Sequence, residues 1–217
     1  LFKRLLKKGD LQFLILINLA LKNYIMKSYK THKYLELIVM PDAADVQNSL
    51  KIGKNFEKNI IIKKKSIGYL GHLYQGRGID LLIKLAKEFP QNNFYIVGGS
   101  EQHVLTWKKN LNLKNIFFLG FQNQENCYHL RHKFDYLIAP YQNKVYVYGA
   151  LSENKEKKSK LETSKWMSPL KLFEYMEAKK PIITSNLPAI KEILSNKIDA
   201  ILCDPNNFDQ WKNAIKT

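Results

Sequence analysis

From Ser66 onward, short apolar runs alternate with amphipathic runs, and no other feature limits the possible folds as strongly. The strand-like runs are Ser66–Leu70, Asn93–Val97, Ile116–Leu119, Asp135–Ala139, Pro181–Ser185 and Ala200–Cys203. Helix-like runs lie between and after them. In Ile79–Lys87 the apolar residues Ile79, Leu82, Ile83 and Ala86 recur at helical spacing. Glu101–Asn110, Gln124–His132, Pro169–Ala178, Pro188–Leu194 and Phe208–Ile215 complete the series. Strands that alternate with helices predict an α/β fold, a Rossmann-like doubly wound parallel sheet. In such sheets ligands sit at the carboxyl ends of the strands, where the strand order reverses.

Residues 1–45 read differently. Leu11–Ile17 suits a strand, Leu19–Tyr29 a helix, and Leu35–Met40 a second strand ending at Pro41-Asp42. That is too little for a domain, so the expectation is the tail of a preceding α/β domain. Residues 46–65, with Gly53 and the run Lys63–Lys65, read as a linker, and 66–217 as the main domain. At 217 residues and 45% hydrophobic content, one α/β core plus a fragment is what the chain can build. It begins at Leu1 and ends inside a helical pattern, which reads as a piece of a longer protein. The long stretch Tyr141–Trp166, including Lys155–Lys160, has no clear period. It is either a loop that touches substrate, through Tyr146 and Tyr148, or a surface insertion.

The formal charge is +16, and the first 65 residues hold 14 of the 35 Lys and Arg against 5 of the 19 Asp and Glu. The excess suits an anionic membrane surface or phosphate-bearing substrates. It equally suits a Lys- and Asn-rich bias with solvated lysines. No zinc-finger, helix-turn-helix or RNA-binding signature accompanies the lysines, so no nucleic-acid partner is expected. Cys127 and Cys203 lack CxxC spacing and imply neither a disulfide framework nor a zinc site. Leu11–Leu21 is interrupted by Gln12 and Asn18 and is far shorter than a membrane span.

The chemistry concentrates in Ser168–Ala178, which is followed at once by Pro181-Ile182-Ile183-Thr184. Ser168 reads as a helix N-cap and Pro169 as its first-turn proline. Leu170, Phe173 and Met176 supply an apolar face. Glu174 then lies one to two turns into a helix whose N-terminus is open. Such an end binds anions through free N–H groups and the helix dipole. Lys171 at that positive end is unfavourable unless an anion is bound. A diphosphate at the helix start and a hydroxyl-rich group at the carboxylate fit this arrangement.

A second cluster, Gly68–Gly78, links the first strand of the domain to a helix. Its glycines let the backbone come close to a ligand. Arg77 is another cation at a helix start, again best explained by an anion. The spacing is not GxGxxG, so no dinucleotide fingerprint is met. Each glycine alone is an ordinary strand-to-helix turn.

The two clusters, in this order, resemble the C-terminal domain of glycosyltransferase family 4, enzymes of the GT-B fold. Gly71–Leu82 is similar to the family's G-x-L-x-x-x-K-G-x-x-x-L, with Arg77 in place of Lys. Pro169–Pro181 is similar to its P-x-K-x-x-E-x-M-A-x-G-x-P. Pro41-Asp42, Phe118-Leu119-Gly120 and Pro140 are family-like as well. The resemblance implies that Glu174 holds the ribose hydroxyls of a nucleotide-sugar donor. It places Arg77 and His72, with Gly71, at the donor diphosphate, joined by Lys171 and the backbone of Ser168, Pro169 and Leu170. The base is expected near Gly120, Phe121 and Gln122.

By the same resemblance, Arg77 and Lys171 are the catalytic candidates. Residues 1–45 become the remnant of an acceptor-binding domain. The implied activity is retaining sugar transfer to a glycan or lipid-linked acceptor. It takes place in the cytoplasm, or peripherally at the inner face of the cytoplasmic membrane, without metal or other cofactor. The chain departs from the family where Trp166 replaces a Glu poised near the donor sugar. Glu177 and Lys180 likewise replace Ala and Gly. Subgroups lacking that first Glu exist. The alternatives are a nucleotide-sugar-binding module without catalysis and a sugar-nucleotide epimerase of the same fold.

Overall fold

The computed structural model describes residues 2–7, 9, 11–45, 60–146 and 163–217. Most of the expected linker, and the Tyr148 and Lys155–Lys160 part of the long loop, lie outside the described residues.

The chain opens with α1 (Phe2–Lys7), β1 (Phe13–Leu16), α2 (Leu19–Ser28) and β2 (Glu36–Val39). β1 and β2 pair in parallel, Phe13 opposite Glu36 and Leu16 opposite Val39, with α2 as their crossover. Leu6, Leu16 and Ile25 form a small core of their own. The short helix α1 was not legible in the sequence. It is held by buried Leu6, whose carbonyl accepts from the His32 N–H at 3.0 Å.

The main domain runs β3 (Ser66–Leu70), α3 (Ile79–Glu88), β4 (Asn93–Val97), α4 (Glu101–Lys108), β5 (Ile116–Gly120), α5 (Gln124–Lys133) and β6 (Tyr136–Ala139). It continues with α6 (Leu170–Glu177), β7 (Ile182–Ser185), α7 (Pro188–Lys191), β8 (Ile201–Cys203) and α8 (Phe208–Lys216). The sheet is parallel with strand order β5-β4-β3-β6-β7-β8. The chain winds outward from β3 to β5, returns to β6, and winds the other way to β8. The switch point therefore lies between β3 and β6. Side chains from α3, α4 and α8 cover one face of the sheet, and those from α5, α6 and α7 cover the other. All five residues of β3 are buried, as a central strand covered on both faces requires.

Three polar devices tie the sheet and its helices together. The Ser66 N–H and hydroxyl both donate to Asp135 Oδ2, at 2.8 and 2.9 Å, and tie the start of β3 to that of β6. Asn115 Nδ2 lies within 3.0 Å of the carbonyls of Ala86, Phe89 and Asn92, which closes the far end of α3. Tyr175 is buried on α6, and its hydroxyl accepts from the Leu70 N–H at 2.9 Å and reaches the Ile138 carbonyl at 3.4 Å. One phenol thus pins α6 across the carboxyl ends of both switch-point strands.

Two expectations about α6 need correction. The helix starts at Leu170, Pro169 occupies the cap position, and no side chain caps it, so Ser168 is not its N-cap. Its buried face is Leu172, Tyr175 and Ala178, while Leu170 is exposed. Tyr175 decides the rotation, because its hydroxyl bonds both strands and its ring packs in the core. α7 is also shorter than expected: after Lys191 the chain continues as a tight turn, with the N–H groups of Ile193 and Leu194 both donating to the Ile190 carbonyl at 2.9 Å.

Candidate functional site

The carboxyl end of β3 turns into the loop Gly71–Gly78. Gly71 has φ +149°, and a Cβ there would meet the side chain of Lys171. Gly78 caps α3 in the left-handed region at φ +83°, where a Cβ would strike the Pro140 backbone carbonyl. Both positions demand glycine because another segment occupies the space. The loop is tied to the chain leaving β6, since the Gln142 N–H donates to the Gly76 carbonyl at 2.9 Å.

Lys171, in the first turn of α6, points its ammonium group into this junction. The Nζ lies 4.0 Å from the centroid of the Tyr69 ring and 5.2 Å from that of Tyr141. The Arg77 guanidinium lies 5.4 Å from the Tyr141 centroid. Lys171 Nζ, Arg77 Nε and the Tyr141 hydroxyl are shielded from solvent and meet no hydrogen-bond partner within the protein. Orphans of this kind are uncommon in native structures. Here three converge at the switch point, beside a helix N-terminus with no side-chain cap.

The titration behaviour follows from that crowding. Burial holds the Lys171 ammonium well below lysine's ordinary value, Arg77 deepens the depression, and Glu174 opposes it. Burial pushes the Tyr141 phenol up to about 12 against the pull of Arg77, and raises Tyr69 further still. His72 stacks on Tyr74 with centroids 4.8 Å apart and ring planes 8° from parallel. Desolvation and then the charges of Arg77, Lys171 and His103 lower its value. His72 thus feels the charges of Arg77 and Lys171, and Lys171 those of Arg77 and Glu174.

The expected base-binding stretch begins where β5 ends. Gly120 accepts from the Gly98 N–H at 2.6 Å, and the Phe121 side chain is 80% exposed, open to a ligand rather than packed in the core. Gln122 Nε2 donates to the Leu119 carbonyl at 2.9 Å. The Cys127 thiol reaches the Gln122 carbonyl at 3.6 Å, and burial plus the Glu174 carboxylate push it up to about 11. Among the described residues Glu174 forms no ion pair. Ser168 and Pro169 lie just ahead of α6, with the Pro169 carbonyl accepting from the Leu172 N–H at 2.8 Å.

Several residues of this region were not found from sequence. Tyr69 and Tyr141 build the lysine's surroundings, yet tyrosines on or after strands read as core. Trp166, in place of a family Glu, stacks on Tyr24 of α2 with centroids 4.4 Å apart. Glu177, in place of a family Ala, accepts from Arg131 Nη2 at 3.3 Å and lies 3.6 Å from His132 Nε2. These departures are thus filled by contacts particular to this chain. A cavity of about 580 Å³ is lined by the Gly71–Gly78 loop and by His103, Trp107 and Lys144. It does not include Lys171 or Glu174. Cys203 is a buried thiol. Among the described residues no cluster of His, Cys, Asp and Glu could hold a metal ion, and no helix is long and apolar enough to cross a membrane.

Known proteins share this architecture. A curated relative from Haemophilus influenzae, described as an uncharacterized glycosyltransferase, is 28% identical over 160 residues, spanning 71% of this chain and 39% of its own. The sucrose-phosphate synthase of Thermosynechococcus elongatus superposes with a TM-score of 0.70 at 17% identity, over 99% of this chain and 50% of its own. Anabaena Alr3699/HepE, solved in complex with UDP-glucose, gives 0.61 at 15% identity, over 94% and 53%. The chain thus spans about half the length of these relatives or less. Residues 52–217 match the family described as Glycosyl transferases group 1, and the chain belongs to that family.

Proposed function

We propose that this chain carries the donor half of a nucleotide-sugar glycosyltransferase. The observation that carries the reading is the convergence of Lys171 Nζ and Arg77 Nε, both buried without protein partners, on the uncapped N-terminus of α6 at the switch point. A nucleoside diphosphate fits that convergence. Its phosphates meet the two cations, His72, Gly71 and the backbone of Ser168, Pro169 and Leu170. Its ribose meets Glu174, and its base lies against Gly120, Phe121 and Gln122.

In the reaction, an acceptor hydroxyl oxygen bonds to the sugar's anomeric carbon as the bond to the diphosphate oxygen breaks. Negative charge accumulates on the departing diphosphate as that bond breaks, and its leaving oxygen takes the hydroxyl proton. Arg77 and Lys171 stand where it accumulates, which is electrostatic stabilisation by groups already in place. The reading assigns this role to the two side chains rather than to a metal ion or another cofactor. Retention of configuration and membership of family 4 follow from the motif resemblance.

Residues 1–45 belong, in this reading, to an acceptor-binding domain, 46–65 to the linker, and 66–217 to the donor domain. The acceptor is a glycan or lipid-linked chain met in the cytoplasm, at the inner face of the membrane. The exposed Phe2, Leu5 and Met26 near Lys3, Arg4 and Lys27 favour that surface.

Calorimetry with UDP, GDP and ADP tests the reading, with Glu174→Ala beside the unaltered protein. One nucleotide is expected to bind, and the variant is expected to lose it. Equal binding by the variant, or none by the unaltered protein, overturns the assignment. One observation favours a second reading, a binding module without turnover: Trp166 is committed to Tyr24 rather than to a sugar. Absence of donor hydrolysis alongside tight nucleotide binding would decide for it.

A further inference from the structure

We propose that the N-terminus of α2 is a positioning device for the phosphate-binding end of α6, with Asn18 as its central residue. The inference rests on the donor-site reading above and concerns residues that touch no donor. Asn18 is 5% exposed and uses its whole side chain. Its Oδ1 accepts from the Leu21 N–H at 2.8 Å, which caps α2. Its Nδ2 donates to the carbonyls of Trp166 and Met167, at 3.0 and 3.2 Å, almost 150 residues away in sequence.

Two further contacts converge on the same junction. Tyr24, on the next turns of α2, stacks on Trp166 at 4.4 Å. α2 has no acidic residue in its first turn, and the carboxylate that its dipole favours comes from Glu192. Glu192 Oε2 and Oε1 accept from the N–H groups of Leu19 and Ala20 at 2.7 and 2.9 Å. The loop ahead of α6 is held from its other end as well. Ser164 Oγ donates to the Asn143 carbonyl at 2.7 Å, and the Thr163 N–H to that of Val145 at 2.8 Å.

Trp166 and Met167 stand only a few residues ahead of Leu170 and Lys171. The carbonyls that Asn18 fixes therefore set where the open end of α6 and the Lys171 stem begin. A displacement of about 1 Å at such a site is enough to cost binding and rate. Asn is the side chain that both caps a helix and offers two N–H groups outward. Asp caps as well as Asn does, and Ser nearly so, but neither can donate to two carbonyls.

Capping and positioning therefore make opposite predictions for Asn18→Asp. If Asn18 serves only as a cap, Asn18→Asp leaves nucleotide binding unchanged. If it positions the loop, Asn18→Asp sets a carboxylate against two carbonyls and next to Glu192, and binding weakens although the cap is kept.

The experiment is calorimetry with UDP, GDP and ADP on the unaltered protein, Asn18→Ser, Asn18→Asp, Glu192→Gln and Glu174→Ala, with thermal denaturation of each. The expected order of affinity is unaltered protein, then Asn18→Ser about tenfold weaker, then Asn18→Asp weaker again. Glu192→Gln, which keeps the fold even if an Asn18 variant does not, is expected to weaken binding severalfold. Unchanged affinity in Asn18→Asp and Glu192→Gln, with binding lost in Glu174→Ala, overturns the positioning role and leaves the donor site standing. Retained binding in Glu174→Ala removes the donor-site reading, and the positioning role falls with it. So does failure of the unaltered protein to bind all three nucleotides.

Discussion

The Lys171 ammonium lies 4.0 Å from the centre of the Tyr69 ring, and no acceptor in the protein reaches it. A buried cation faced by aromatic rings, opposed by Arg77 and only partly offset by Glu174 destabilises the free protein. Lys171→Met keeps much of the stem's volume and removes the charge. It is expected to raise stability by about 1–2 kcal/mol while abolishing nucleoside-diphosphate binding, a trade of stability for function. Denaturant unfolding and calorimetry read the two effects separately. A fall in stability would show that the ammonium is well compensated where it stands.

The same lysine predicts a pH dependence. Its folded value is lowered beneath the unfolded one, so between the two the unfolded chain binds more protons. Lys171 therefore makes the free protein more stable as pH rises through that window. A bound diphosphate reverses the depression, so binding takes up a proton there and weakens as pH rises. Calorimetry in buffers of different ionisation enthalpy is expected to show proton uptake, and Lys171→Met to lose it. An uptake identical in the variant would assign the proton elsewhere.

The sheet was legible because each of its strands is a short apolar run bounded by turn residues, and the helix periods between them are clear. The Arg77 and Glu174 clusters were legible because their spacing resembles a family pattern. What stayed hidden depends on contacts distant in sequence. Nothing near Trp166 announces Tyr24, and nothing near Glu177 announces Arg131, since each pair meets only when the chain has folded. The rotation of α6 was misread for a related reason. Leu170, Phe173 and Met176 repeat at helical spacing as well as Leu172, Tyr175 and Ala178 do, and only the hydrogen bonds of Tyr175 to β3 and β6 distinguish the faces.

Arg131 and Glu177 join α5 to α6 with side chains only 6% and 11% exposed. Removing one member leaves a buried charge uncompensated, which costs about 3–5 kcal/mol. Glu177→Ala is expected to destabilise by that amount. Arg131→Met combined with Glu177→Ala is expected to recover most of it, because an apolar replacement of both partners carries no orphan. Urea unfolding of the four proteins of the cycle measures the coupling. Strictly additive losses would show that the pair does not act as a pair.

Gly71→Ala probes the close approach of the glycine loop to Lys171. The backbone at φ +149° disfavours any side chain, and the new Cβ would displace the Lys171 Cε and Nζ. The expected outcome is a loss of about 1–3 kcal/mol in stability together with weaker nucleotide binding. Gly78→Ala is the control. Its Cβ would strike the Pro140 backbone, which cannot yield as a lysine tip can, so it is expected to lose more stability than Gly71→Ala, with a smaller change in affinity because the clash is away from the ammonium. Equal effects of the two on affinity would detach Gly71 from the lysine.

His72 offers the last test. Desolvation, Arg77, Lys171 and His103 lower its value beneath the ordinary one, so the imidazole is largely neutral at pH 7.5 and takes its charge at a lower pH than a free histidine does. As a neutral group it can give the diphosphate one hydrogen bond but no charge. Affinity for a nucleoside diphosphate is therefore expected to rise as pH falls through the histidine's titration. His72→Arg places a permanent cation at that position, and is expected to bind about three- to tenfold more tightly at pH 7.5 and to flatten the acid rise. It should also lower the stability of the free protein, since the new charge faces Arg77 and Lys171. Calorimetry at pH 5.5 and 7.5 on both proteins decides the matter. An acid rise of undiminished size in His72→Arg would assign the proton to another group, such as Lys171, rather than to His72.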